Sequence, residues 1–133
     1  STAPQQPFFA YIPLASPHTP IVPNEQWKGQ SKINAYADFV MQTDNAIGQI
    51  QSCLKNLKLE ENTILIVTSD NGCSPEADYA TLLKAGHNPS FIYRGTKADI
   101  FEGGHRVPLV LQWPKEIKPN QASDGLVGLQ DLM

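Results

Sequence analysis

The sequence predicts an α/β fold, and three segments with different apolar patterns support that prediction. Asn62–Gly72 contains an aliphatic and β-branched run that ends abruptly in Ser-Asp-Asn-Gly, which is typical of a buried strand. Ser31 to about Leu57 has the apolar spacing of a helix, and Val107–Trp113 is a further strand candidate. A helix, a strand, a long excursion and another strand form the order expected of a mostly parallel or mixed sheet with helices on its faces.

The first element is a strand candidate that leads to a histidine. Residues 1–7 are polar and contain proline, and we expect them to form a loose lead-in. Phe8–Ile12 is a short apolar run, which predicts another strand. The loop after it presents His18 between prolines. Because proline restricts the backbone, such flanks can hold an imidazole in place.

The long helix has one expected start, one expected end and two unusual residues. Ser31 or Gln30 is its predicted N-terminal end, and the Lys55–Lys58 region suits the negative C-terminal end of the helix dipole. Gly48 lies in the middle, where a close approach of helix and sheet would explain it. Asp44 falls on the apolar stripe, where a carboxylate must be paired or reach water. Either the helix is slightly rotated at that turn or, as we favour, Asp44 forms a buried pair with Arg106.

Length, charge and cysteines limit what the chain can be. At 133 residues, the chain can form one domain that buries about 70% of its unfolded surface. The net charge is -3 without a basic cluster, and no apolar run has the roughly 18 residues of a membrane span, so we expect neither a nucleic-acid nor a membrane partner. Cys53 and Cys73 should lie at opposite ends of the predicted strand, beyond the ~7 Å reach of a disulfide, and are predicted to be free.

The residues after the Asn62–Gly72 strand form the first candidate site. Asp70 and Asn71 stand at the carboxyl end of the strand, where α/β sheets bind their ligands, and Gly72 lets the backbone turn sharply. Asp-Asn pairs are also ordinary turn residues, so this segment alone does not distinguish a ligand site from a simple turn. Segment 74–96 is a long loop of the kind that often covers a site, and we expect one or two helical turns at Ala77–Ala85.

Five short motifs in one order resemble the type I sulfatases, the formylglycine-dependent branch of the alkaline-phosphatase superfamily. They are PHTP around His18, TSDNG around Asp70, GTK ending at Lys97, EGGHRVP at 102–108 and QWP at 112–114. The match covers nearly the whole chain, and the combined order is far more specific than any one motif. The resemblance implies a partial alkaline-phosphatase-like sandwich, that is, an incomplete α/β domain.

The resemblance also implies roles for four residues. Asp70 and Asn71 would be ligands of a divalent cation, Ca²⁺ with Mg²⁺ as the alternative, because both ions take oxygen ligands. Lys97 would direct its ammonium at an anionic oxygen of the substrate. His18 would contact the sulfate group and the leaving-group oxygen, and it can donate a proton near neutral pH. A surface lysine and a surface histidine are the ordinary alternatives for the last two.

Other polar residues are assigned weaker or structural roles. Cys73 is not expected to be the formylglycine precursor, because Ala77 stands where the family's Cys-x-Pro-x-Arg pattern requires arginine. Glu102 and Arg106 are expected to anchor the Gly-Gly turn. For His105 a structural role is favoured over a substrate contact, and His87 could touch substrate; both remain open.

By this resemblance we expect residues 1–133 to be the central fragment of a sulfatase catalytic domain. Asp131-Leu132-Met133 resembles a family sequence that continues beyond it. The formylglycine, its activating arginine and two acidic ligands would then lie outside this chain, and the chain alone would have negligible turnover. The expected partners are the remainder of the domain and a sulfated small molecule or saccharide, and the expected location is the periplasm or outside the cell. The alternatives are a phosphodiesterase or phosphonate hydrolase, and a non-catalytic module that binds sulfated glycans.

Overall fold

The computed structural model describes residues 6–132, so residues 1–5 of the predicted lead-in and Met133 lie outside the described residues. Its helices and strands are α1 Ala35–Asn56, β1 Leu65–Thr68, α2 Tyr79–Lys84, α3 Glu102–His105 and β2 Leu109–Gln112. Single 3₁₀ turns cover Glu60–Asn62, Pro75–Ala77 and Leu129–Leu132. The long helix, both later strands and a short helix inside Ala77–Ala85 are therefore present as predicted.

The two strands pair antiparallel, with Leu65 opposite Gln112 and Thr68 opposite Leu109. Within residues 6–132 the sheet is this antiparallel pair, which fits the mixed sheet among the predicted alternatives and not a parallel one. Parallel neighbours need a crossover that returns the chain to the start of the first strand. Here the connection enters β2 beside the end of β1, so the chain simply reverses.

The expected strand at Phe8–Ile12 does not form in the described residues. Its side chains are exposed, with 92% of Phe9 and 79% of Tyr11 accessible to solvent. A strand needs a neighbouring backbone to satisfy its N–H and C=O groups. In the described part of the chain no such neighbour lies beside this segment, so it remains irregular.

Helix α1 begins at Ala35, four residues later than the predicted start at Ser31. Asn34 caps the helix, and its side-chain oxygen accepts a hydrogen bond of 2.9 Å from the Ala37 amide. The preceding turn is held by Asp38, whose carboxylate accepts bonds of 2.7 Å from the Gly29 amide and 2.8 Å from the Ser31 amide. The chain at Ser31 thus belongs to this turn rather than to the helix.

Two further expectations for α1 are wrong. Asp44 is exposed, and Arg106 instead pairs with Glu102, with Nη1 and Oε2 separated by 2.9 Å. The Asp44–Arg106 pair therefore does not form. A Cβ atom at Gly48 would meet nothing within 4 Å in the structure, so no close approach to the sheet explains that glycine.

The chain exposes much more surface than a closed domain of its size. Its accessible area is 10377 Å², against about 6,900 Å² expected for a folded monomer of this mass. Within residues 6–132 the buried hydrophobic side chains are those of Ala77 and Leu82. The chain therefore buries much less of its surface than its length would allow. None of the described helices combines the length and apolar character needed to cross a membrane.

Candidate active site

The loop after β1 carries the two predicted metal ligands. Ser69 Oγ donates to the Asn71 carbonyl oxygen at 3.1 Å, and Asn71 Nδ2 donates to the Gly72 carbonyl oxygen at 3.0 Å. These hydrogen bonds between polar groups of the loop itself stabilise its conformation. Across residues 6–132, neither the exposed Asp70 carboxylate nor Asn71 Oδ1 receives a hydrogen bond from the protein. Both oxygen-bearing groups are therefore available to a ligand.

This loop packs backbone against backbone on the Gly-Gly turn. The Gly72 amide donates to the Gly104 carbonyl oxygen at 2.9 Å, and the Gly103 amide donates to the Arg94 carbonyl oxygen at 2.8 Å. A Cβ atom on Gly72 would lie 1.9 Å from the Gly103 oxygen, and one on Gly103 would lie 2.1 Å from the Gly95 oxygen. Only residues without a side chain allow this approach. We call the contact of Gly72, Gly103 and Gly104 the glycine junction.

Lys97 is attached to the same region through its backbone. Its amide donates to the Cys73 carbonyl oxygen at 2.8 Å, one residue beyond Gly72. The turn around Lys97 is fixed by Asp99, whose carboxylate accepts a bond of 2.7 Å from the Thr96 amide. In the described residues the half-buried Lys97 side chain forms no ion pair. The backbone at Lys97 is thus held against the segment that directly follows the Asp70–Asn71 loop.

His18 is held by a different element. Its Nδ1 lies 2.7 Å from the Thr19 carbonyl oxygen, which can only accept, so Nδ1 donates; among residues 6–132, Nε2 has no hydrogen-bond partner. The loop is tied to α1, because Thr43 Oγ1 donates to Ser16 Oγ at 2.9 Å. Within residues 6–132 no hydrogen bond joins the His18 loop to the glycine junction. The structure therefore ties the backbone at Lys97 to the segment after Asp70 and Asn71, and it attaches the exposed His18 separately to α1.

The first turn of α1 packs on the residues that follow the Asp70–Asn71 loop. Asn34 Nδ2 donates to the Ala77 carbonyl oxygen at 2.9 Å. Burial of the Tyr36 hydroxyl, and then its position beside Cys73, raise the pKa of that hydroxyl. The sequence analysis missed both residues. The position of Asn34 before a helical pattern is a recognisable capping signal, whereas nothing in the sequence marks Tyr36.

Cys73 is a poor nucleophile in this setting. Burial raises the pKa of its thiol more than the neighbouring Tyr36 hydroxyl lowers it. A protonated thiol reacts slowly, because the thiolate is the nucleophilic form. Cys73 and Cys53 are both free, which confirms the prediction that they form no disulfide.

The charged residues around the Gly-Gly turn have structural contacts. Arg106 pairs with Glu102 across α3 and places its guanidinium 4.7 Å from the centre of the Tyr93 ring. His105 Nε2 lies 3.0 Å from the Ile100 carbonyl oxygen. These contacts agree with the prediction that Glu102 and Arg106 anchor the turn, and they give His105 a local structural bond.

The donor set fits part of the shell of a hard cation. Carboxylate and amide oxygens are the ligands that Ca²⁺ and Mg²⁺ prefer, but Ca²⁺ takes about six to eight oxygens. Asp70 and Asn71 supply such oxygens side by side. In the described part of the chain, no group of three or more His, Cys, Asp or Glu side chains could hold a metal ion. Additional ligands are therefore needed for tight binding.

A strand end that presents oxygen ligands beside a lysine is the kind of site at which α/β proteins bind a metal and an anion. Comparisons with known proteins identify the family to which this chain belongs. This chain belongs to the sulfatase family, because the sequence model described as Sulfatase matches residues 1–133.

Named relatives agree with this assignment. The N-acetylgalactosamine-6-O-sulfatase of Bacteroides thetaiotaomicron is 40% identical over 120 residues, which are 88% of this chain and 24% of that protein. The N-acetylgalactosamine-6-sulfatase of Canis lupus familiaris is 36% identical across 98% of this chain and 24% of its own length. A steryl-sulfatase of Rattus norvegicus is 38% identical across 86% of this chain and 20% of its own length. The chain thus spans about a quarter of these relatives.

Solved structures show the same fold. One, described under the metabolism of multiple glycosaminoglycans by Bacteroides thetaiotaomicron, has a TM-score of 0.80 and 38% identity over 86% of this chain and 25% of that chain. Another, crystallised with k-i-k-neocarrahexaose, has a TM-score of 0.61 and 30% identity over 75% of this chain and 22% of that chain. The prediction of part of an alkaline-phosphatase-like α/β fold is confirmed.

Proposed function

We propose that the complete protein containing these residues is a sulfuric ester hydrolase that removes sulfate from a carbohydrate. Family membership and the sulfatase names of the relatives support the reaction type. The observation on which the proposal rests is the bond from the Lys97 amide to the Cys73 carbonyl oxygen, which ties a cationic residue to the segment directly after Asp70 and Asn71. A sulfate ester needs a cation on its anionic oxygens, and a metal site nearby provides a second one.

In this proposal each residue has a separate task. The carboxylate of Asp70 and the amide oxygen of Asn71 bind part of the shell of Ca²⁺, or of Mg²⁺. The bound ion supplies Lewis-acid stabilisation of the anionic oxygens. Lys97 binds a sulfuryl oxygen as a point charge. His18 acts in its imidazolium form: Nδ1–H stays bonded to the Thr19 carbonyl oxygen, and Nε2–H donates the proton to the departing oxygen.

The rest of the catalytic domain is the first partner in this proposal. It supplies the formylglycine nucleophile, the arginine beside it and the remaining acidic ligands. The second partner is a sulfated saccharide. An enzyme that acts on extracellular glycans must meet them outside the cytoplasm, so we place the protein in the periplasm or outside the cell.

A turnover assay of the complete protein tests the reaction. The substrates are a sulfated chromogenic ester, 6-sulfated N-acetylgalactosamine and a phosphodiester, each with calcium and with a chelator. We expect calcium-dependent release of sulfate and a loss of about 10²–10³-fold in kcat/KM for Lys97→Ala. Lys84→Ala, an exposed lysine in the last turn of α2, is the matched control and should keep full activity.

Two results would contradict the proposal. Faster hydrolysis of the phosphodiester than of the sulfate esters would indicate the phosphodiesterase or phosphonate hydrolase class. Binding of a sulfated saccharide without calcium dependence or turnover would indicate a glycan-binding module.

A further inference from the structure

Helix α1 contacts both parts of the candidate site. Near its start, Asn34 uses its two amide atoms separately. Oδ1 accepts from the Ala37 amide and caps the helix, whereas Nδ2 donates to the carbonyl oxygen of Ala77, a residue with 1% of its surface exposed. The helix end and the segment after the Asp70–Asn71 loop are thereby joined through one side chain.

Cys73 connects α1 to Lys97. Its side chain lies beside the Tyr36 hydroxyl, and its carbonyl oxygen accepts the hydrogen bond of the Lys97 amide. Asn71 lies two residues before it. The loop around these residues contains neither helix nor strand, so its shape depends on such contacts and on the glycine junction.

The His18 loop is attached farther along the same helix. Thr43, which donates to Ser16, follows Tyr36 by seven residues. Residues seven apart lie on the same helix face, about 10.5 Å apart along the axis. One rigid element therefore carries the attachment point of His18 and that of the Asp70–Asn71 loop.

We propose that Asn34 and Tyr36 are positioning residues, which fix segment 70–77 on α1 and thereby set Asp70 and Asn71 relative to Lys97 and His18. The catalytic consequence rests on the function proposed above. Displacements of about 1 Å at a reacting centre are enough to reduce rates strongly, because the groups must be held in the productive geometry.

The first arm of the test is kinetic and uses the complete protein. Tyr36→Phe keeps the ring and removes the hydroxyl; Tyr79→Phe is the control, because the Tyr79 hydroxyl bonds to Asn88 Oδ1 at 2.6 Å in an exposed pair away from the site. We expect Tyr36→Phe to lower both kcat and Ca²⁺ affinity by about fivefold, the effect of one hydrogen bond, with KM nearly unchanged. The control should leave all three constants unchanged.

The second arm is amide hydrogen exchange, which needs no turnover. The reporters are the amides of Gly72 and Lys97, which donate to Gly104 and Cys73. We expect both to exchange at least about threefold faster in Tyr36→Phe and in Asn34→Asp, which keeps a good capping side chain but removes the Nδ2 donor. Unchanged exchange and unchanged kcat in these variants would overturn the positioning role. A complete wild-type protein without sulfatase activity would refute the proposed function, while the exchange rates would still decide the positioning role.

Discussion

At the scale of single residues, two glycines have opposite surroundings. Gly72 lies in the glycine junction, where a Cβ atom would overlap the Gly103 carbonyl oxygen. Gly48 lies inside α1, where a Cβ atom would meet nothing within 4 Å. The sequence predicted the turn at Gly72 from its Asp-Asn-Gly motif. It could not predict the contact with Gly103, because nothing local connects residues so far apart in the chain.

The two glycines make a matched pair of substitutions in the complete protein. Gly72→Ala should lower the free energy of unfolding by about 1–3 kcal/mol, because the added atom forces two backbones apart. It should also reduce sulfate-ester turnover, since the Asp70–Asn71 loop must move. Gly48→Ala should raise the free energy of unfolding by up to about 1 kcal/mol through helix propensity. Urea unfolding measures both free energies. A larger loss of stability for Gly48→Ala than for Gly72→Ala would contradict the open space at Gly48 and the close contact at Gly72.

Residue-level reasoning failed for Asp44. The sequence analysis paired it with Arg106 because the helix pattern placed Asp44 on the apolar stripe. Glu102 is four residues before Arg106 on α3, and side chains with this spacing are neighbours on a helix. Glu102, the local partner, therefore pairs with the Arg106 guanidinium, and the Asp44 carboxylate is exposed to water.

At the scale of elements, the start of α1 illustrates what periodicity can predict. The apolar spacing predicted the helix and its basic C-terminal end correctly, because both are local properties. The start was predicted four residues too early, because Ser31 is a good capping residue by type but is engaged in the turn that Asp38 holds. The antiparallel pairing of β1 and β2 could not be predicted for a related reason, since the relative direction of two strands depends on the path of the long connection between them.

The Asp38 turn predicts a pH dependence. Hydrogen bonds from Ser31 and Gly29 lower the pKa of the Asp38 carboxyl from its usual value of 3.8. Because the folded-state pKa lies below the unfolded value, the stabilisation is present above the unfolded value and is lost as the pH falls through the folded one. Asp38→Asn should therefore be less stable than wild type from about pH 7 to about pH 5, and the difference should shrink below about pH 4. Urea unfolding across this pH range measures the difference in stability between the two proteins. If that difference stays constant down to the folded-state pKa of Asp38, the carboxylate does not stabilise the turn.

At the scale of the whole molecule, the amount of exposed surface is the main property. Exposed large hydrophobic side chains include Phe9, Ile100 and Leu126, at 92%, 88% and 103% of their reference areas. Composition could not reveal this, because a sequence of ordinary hydrophobicity does not specify which faces find partners. The α/β class was predicted correctly, because it depends on local apolar patterns. The five motifs that indicated the family are local patterns as well.

The isolated chain of residues 1–133 should therefore behave as an incomplete domain. We expect a broad thermal transition, strong binding of the dye ANS and no sulfate-ester hydrolysis above buffer. Calorimetry, dye fluorescence and the chromogenic assay measure these properties. A sharp cooperative transition together with metal-dependent turnover would show that this chain is sufficient by itself.

The central claim is that His18, Lys97, Asp70 and Asn71 act at one site. A crystal structure of the complete protein with calcium and sulfate bound tests it most directly. We expect Ca²⁺ at about 2.3–2.6 Å from an Asp70 carboxylate oxygen and from Asn71 Oδ1, with the sulfate hydrogen-bonded to both Lys97 Nζ and the His18 ring. A cation bound elsewhere, or His18 and Lys97 on opposite sides of the molecule, would contradict the account.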